Sequence, residues 1–217
     1  EIAMGCHAAA AKPTDVLRAE HRLIERALEV LDHLSATGRE RNRLDLPAAR
    51  DLLDFLRTFA DSCHHRKEEE ILFPALERRV PGFGPAIVMR HEHVEGRAAV
   101  AGMVEAVEQN DPSAFALQAS AYATLLRGHI QKEDHCLWPM ADQILDRAAE
   151  VEVLAAFERA EVEHVGLGVH DRMIAKLDQL LAHCGLASRT ASFLAKTGGG
   201  CGCGGGGASF GGEGATS

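Results

Sequence analysis

Two stretches of this 217-residue chain match each other position by position. His64-His-Arg-Lys-Glu68-Glu-Glu-Ile-Leu-Phe-Pro74 recurs as His129-Ile-Gln-Lys-Glu133-Asp-His-Cys-Leu-Trp-Pro139. His, Lys, Glu, Leu and Pro keep their offsets, and an aromatic residue precedes each Pro. Upstream of each stretch a Glu is followed by a His, at Glu20-His21 and Glu92-His93. Repetition of this kind means one structural unit used twice. The chain therefore reads as two helical hairpins, each supplying one lone His and one His-xxx-Glu.

The spacing carries chemistry. Residues i and i+4 stand one turn apart on the same helix face, so an imidazole and a carboxylate placed there reach one ion together. His21, His64, Glu68, His93, His129 and Glu133 all fall on apolar stripes. A charge buried there without a partner is costly, and a cation supplies the compensation. Inward Glu and His at short helical spacing are the donor set of di-iron and di-manganese bundles. Mixed imidazole and carboxylate donors suit iron or manganese ahead of zinc.

The rest of the chain fits an all-α fold. A first helix is expected from a Thr14 cap to about Thr37, stopped by Gly38, with Leu17, Ile24, Leu28 and Leu31 inward. A second starts at Pro47 and carries Leu53, Leu56, Ala60, Leu72 and Ala75 around His64 and Glu68. Pro81-Gly-Phe-Gly-Pro85 breaks it. A third runs to Gln109 with Met89, Val100, Val104 and Val107 inward, and Asp111-Pro112 opens a fourth. Its stripe is read as Leu117, Ala121, Leu125, Cys136 and Met140. One further helix is expected over 149–183, with Phe157, Leu167, Ile174, Leu177 and Leu181 on one face and Gly185 as its stop. The Gly-rich run over 197–217, with Cys201 and Cys203, reads as a flexible tail.

The pattern of His, then His-xxx-Glu-Glu-x-x-Leu-Phe-Pro, then Glu-His, then His-xxx-Glu resembles the HHE branch of the hemerythrin family. The likeness covers about residues 14–145. It implies an up-down-up-down four-helix bundle around a non-haem di-iron centre. The family's metal positions fall on His21, His64, Glu68, His93, His129 and Glu133, with the two glutamates bridging the irons. Oxygen-carrying hemerythrins place one more His a turn before the third-helix ligand, where this chain has Met89. What the resemblance implies is therefore sensing, nitric-oxide handling, peroxide chemistry or iron–sulfur repair. Two six-coordinate irons offer about twelve positions, and the six residues with a bridging oxo or hydroxo group fill about ten of them. The remainder would accept oxygen, nitric oxide or peroxide. A peroxide-consuming di-iron enzyme and an iron donor are the alternatives.

Around this set, His65, Arg66, Glu69 and Glu70 read as a solvated face, because His65 stands about 100° round an α-helix from His64. Glu25, one turn after His21, is a candidate further ligand. His91 and His135 read as surface residues. Glu161 and His164 could form a second site, and Tyr122 could point toward the centre. The net charge of -9 argues against nucleic-acid or anionic-membrane partners. Six Cys, four of them widely spread and only Cys201 and Cys203 close, with no CxxC pair, no basic leader before an apolar run and no membrane-length apolar segment point to a reduced, cytoplasmic protein.

Overall fold

The computed structural model describes residues 12–187, and every regular element in them is helical. The expected leader, the Gly-rich tail and Cys6, Cys201 and Cys203 lie outside the described residues.

Helix α1 is Pro13–Arg41. It starts one residue before Thr14, with the Lys12 amide donating to the Asp15 carboxylate at 3.1 Å, while Thr14 instead donates to Asp142 at 2.6 Å. It also runs through Gly38. A Cβ there would lie 3.0 Å from Leu44 Cδ2, so this glycine admits a neighbouring side chain, and Asn42 at φ 47° ends the helix.

Helix α2 spans 46–77 without interruption. It is α-helical over Leu46–Phe55, π-helical over Leu56–His65 and Lys67–Leu72, and α-helical again over Phe73–Glu77. Asp45 caps it by accepting from the Ala48 amide at 3.2 Å. Helix α3 is Gly84–Gln109. Helix α4 spans 112–144, with a π-helical turn at Glu133–Leu137 between Pro112–Lys132 and Trp138–Ile144. Asp111 caps it, accepting from Ser113 and Ala114.

The stripe expected on α4 is displaced. Leu117 is 69% exposed, Met140 is 41% exposed, and Cys136 is exposed, while Phe115, Ala119, Tyr122, Leu126 and Ile130 are buried. Steps of four advance a side chain by about 40° round an α-helix, so a line drawn back from His129 leaves the core within three steps. The buried set mixes a step of three with its steps of four, which keeps the line on one face of the helix.

The further helix is two. Helix α5 is Arg147–Ala160, continued by a π-helical turn at Glu161–Val165, and α6 is Val169–His183. Gly166 at φ 101° and Gly168 at φ 69° make the break, leaving Leu167 80% exposed. Phe157 of α5 packs in one apolar cluster with Phe73 and Trp138. Ile174, Leu177 and Leu181 of α6 pack in the other, with Ile24, Leu28 and Phe55. The buried His and Glu side chains belong to neither cluster.

Candidate metal centre

The structure brings all six sequence-derived residues together. His21, His64, Glu68, His93, His129 and Glu133 are each no more than 1% exposed. They form two groups whose donor atoms lie within 4.8 Å of one another: His21, His64, Glu68 and Glu133, and His65, Glu68, His93 and His129. Glu68 belongs to both. Its Oε1 lies 3.1 Å from His64 Nε2 and its Oε2 lies 3.3 Å from His93 Nε2. Glu133 Oε2 is 3.2 Å from Nε2 of both His21 and His129. Each carboxylate thus reaches imidazoles of both groups.

Each of the four imidazoles is held from behind by a carboxylate at hydrogen-bond distance of Nδ1. The pairs are His21 with Asp134 at 2.8 Å, His64 with Glu20 at 2.9 Å, His93 with Glu69 at 2.7 Å and His129 with Glu92 at 2.9 Å. Each carboxylate in turn meets a cation: Arg22 on Asp134, Lys67 on Glu20, Arg97 on Glu69 and Lys132 on Glu92. The pairing uses the repeat. The Glu before each lone His backs the His-xxx-Glu imidazole of its own hairpin, together with that motif's Lys. The acid after each motif Glu backs the lone His of the other hairpin.

An ionised carboxylate only accepts, so it fixes the proton on Nδ1 and leaves Nε2 as a lone pair aimed inward. The consequence is a concentration of unanswered donor atoms. Nε2 of His21 and His64 and both oxygens of Glu68 and Glu133 are buried without a hydrogen-bond partner. His93 Nε2 and His129 Nε2 face each other at 3.1 Å. Two lone pairs at that distance repel unless positive charge stands between them, and unpaired buried polar atoms are costly. The charge balance agrees. Burial opposes a charge on His64, yet Glu68 and Glu20 outweigh it and raise this imidazole to about 10. Glu68 and Glu69 likewise outweigh burial at His93 and raise it to about 9. The box draws in cationic charge, and its donor set fits metal ions.

His65 is a correction. Expected on the solvated face, it is 4% exposed, its ring stacked on His93 with centroids 4.0 Å apart. Burial, then His93, lowers it to about 3, so it stays neutral. The cause is packing on several sides of α2: its 56–65 segment lies against α1, α3, the turn at Glu161–Val165 and α6, and Cys63, His64, His65, Lys67 and Glu68 are all buried. The histidine pair His64-His65 was the signal available in the sequence. Glu69 also differs from expectation, since it backs His93 and is not free in solvent.

The remaining candidates separate cleanly. Glu25 pairs with Arg22 at 2.8 Å, away from the centre. Met89 is buried in the apolar cluster beside Phe73 and Trp138. His91 and His135 are exposed, as expected. Glu161 pairs with Lys67 at 3.1 Å, and no metal-ligating group around it and His164 occurs among the described residues. Tyr122 is buried beside a cavity of about 450 Å³ that Leu56, Asp61, His65, Arg97 and Val100 also line.

With this geometry, the comparisons with known proteins agree. The family model for the hemerythrin HHE cation binding domain matches residues 12–141, and the chain belongs to that family. The chain is 23% identical over 160 residues to the uncharacterized proteins Mb2018 of Mycobacterium bovis and Rv1995 of Mycobacterium tuberculosis. The match covers 71% of this chain and 62% of those relatives, so the chain spans less than two thirds of their length. No solved structure matches it. The chain thus carries a hemerythrin HHE cation binding domain, and its buried His/Glu groups could hold metal ions.

Proposed function

We propose that the chain holds a pair of non-haem iron ions and binds or reacts with a small oxidant ligand, namely oxygen, nitric oxide or peroxide. The observation that supports this most is the pair of donor groups sharing Glu68, with Glu133 also reaching imidazoles of both. In this reading His21, His64, His93 and His129, through Nε2, together with Glu68 and Glu133 would hold the ions. Bound there, iron supplies two-electron redox chemistry and coordination positions for an exogenous ligand. Manganese, which the same donors suit, and zinc are the less favoured alternatives, and metal analysis separates the three.

The protein's own part is positioning and exclusion. The four carboxylate–cation pairs orient the imidazoles before any ion arrives, and Phe73 and Trp138 seal one side of the centre. The cavity of about 450 Å³ gives small molecules an approach beside His65. Short connections at 42–45, 78–83 and 110–111 favour antiparallel neighbours, so α1 to α4 are read as the up-down-up-down bundle.

Metal analysis of the purified full chain tests the reading. About two irons per chain are expected, with azide adding a visible charge-transfer band to the oxidised protein. Repeated consumption of peroxide would mark an enzyme, and a single stoichiometric oxidation a sensor. Stoichiometric zinc that iron supplementation does not displace, or no band at saturating azide, overturns the small-molecule function.

A further inference from the structure

We infer that His65 is a seventh protein ligand to the metal pair, supplied from α2 to the ion shared by His93 and His129. The inference rests on the di-iron reading above and concerns a residue that is neither the His nor the Glu of a His-xxx-Glu motif nor one of the two lone histidines.

Three observations carry it. First, His65 falls within the second donor group, with its ligand atom within 4.8 Å of those of Glu68, His93 and His129. Second, both of its ring nitrogens are buried without a hydrogen-bond partner. A ring needed only to fill space against His93 would cost less as phenylalanine, because an unanswered buried polar atom is penalised. Third, a carboxylate with its own cation also stands behind His65, beyond the hydrogen-bond distance that the other four imidazoles show. Asp61 Oδ1 stands 3.5 Å from its Nδ1, and Arg97 donates to that oxygen at 2.7 Å. Arg97 also holds Glu69 behind His93, so one guanidinium serves the carboxylates behind both rings.

This arrangement bears on Met89. The third helix offers a thioether packed in the apolar cluster where another imidazole could have stood. A ligand from α2 restores three imidazoles to that side, while the His21–His64 side keeps two. The two metal positions then differ, and the cavity lined by His65, Asp61, Arg97 and Tyr122 adjoins the His65 side. A molecule entering it meets His65 before the other imidazoles.

The test removes the nitrogen donors and keeps the ring. In His65→Phe, iron that survives a fixed exposure to chelator should fall from about two to about one per chain. His65→Ala should show the same loss, and millimolar imidazole, admitted by the adjoining cavity, should restore the second iron. Asp61→Asn leaves the ring in place and should speed release of one iron by about 10-fold. It serves as the second variant if either His65 substitution fails to fold by far-ultraviolet circular dichroism. A His65→Phe protein holding two irons with the unaltered protein's release rate and spectrum would make His65 a packing residue and overturn the inference. So would wild-type release kinetics in Asp61→Asn where the His65 variants do not fold. An unaltered protein without iron would instead overturn the di-iron reading itself.

Discussion

At the scale of the residue, one rule recurs around the centre: every inward imidazole has an anion behind it and every such anion has a cation behind that. The two kinds of carboxylate should therefore respond differently to truncation. Glu68→Ala and Glu133→Ala remove donors that reach both groups, and each should lose most of the iron. Glu69→Ala touches no ion directly, but it frees the Nδ1 proton of His93 and removes one partner of Arg97. Its iron affinity should fall by about 10–100-fold, the usual effect of removing a carboxylate behind a metal-ligating His. His91→Gln, on the exposed face of α3, should leave iron content unchanged. Titration of the metal-free variants with ferrous ion under anaerobic conditions checks the order, and equal losses for Glu68→Ala and Glu69→Ala would contradict it. The six positions were legible in the sequence because the repeat marks them twice. The backing carboxylates were in view as Glu20, Glu69, Glu92 and Asp134, but their pairing crosses between helices and depends on packing that local spacing does not encode. His65 was hidden for a different reason, since its burial comes from helices packed on several sides of α2, which the apolar period along α2 alone does not carry.

At the scale of the element, three of the four π-helical stretches among the described residues fall where the donors are. The π-helical turns of α2 and α4 begin or end within the two His-xxx-Glu motifs. π-helical turns are rare and concentrate at functional sites. The starts of α2 and α4 were readable, because Pro47, Asp111 and Pro112 act through their own backbone and side chains, whereas the Asp45 cap was taken for linker. Gly38 was misread as a stop because its role is a close approach to Leu44, a tertiary fact. The break between α5 and α6 had a signal in Gly166-Leu-Gly168 that the apolar periodicity on either side masked. Gly166 has φ 101° and ψ 153°, a region essentially closed to other residues. Gly166→Ala should cost about 1–3 kcal/mol, lowering the thermal midpoint by several degrees. Gly166 is absent from the donor groups, so the folded variant should bind iron as the unaltered chain does. Differential scanning calorimetry with parallel iron analysis checks both halves of that expectation, and an unchanged midpoint would mean the link tolerates a Cβ.

At the scale of the whole molecule, the helices enclose a box of carboxylates and imidazoles whose charge has to be balanced from within. Glu68 sits well below the usual carboxylate range despite its burial, because His64 and His93 adjoin it. Glu20 is held down to about 2 against burial by Lys67 and His64. In return, against burial, Glu68 and Glu20 raise His64 to about 10, and Glu68 and Glu69 raise His93 to about 9. An imidazole raised above its ordinary value near 6.5 binds a proton in the folded chain that the unfolded chain has already released. Its stabilising effect is complete below about pH 6.5 and is lost as the pH rises through the folded value. The metal-free protein should therefore lose stability steadily from about pH 7 to about pH 10. Iron replaces those protons as the cation facing Nε2, so the loaded protein should hold its thermal midpoint over much of that interval. Thermal unfolding of chelator-treated and iron-loaded protein across this range measures the two slopes. Parallel decline would mean that the inward imidazoles do not exchange proton for metal. A flat metal-free curve would mean that burial, which opposes their charging, outweighs the carboxylates around them.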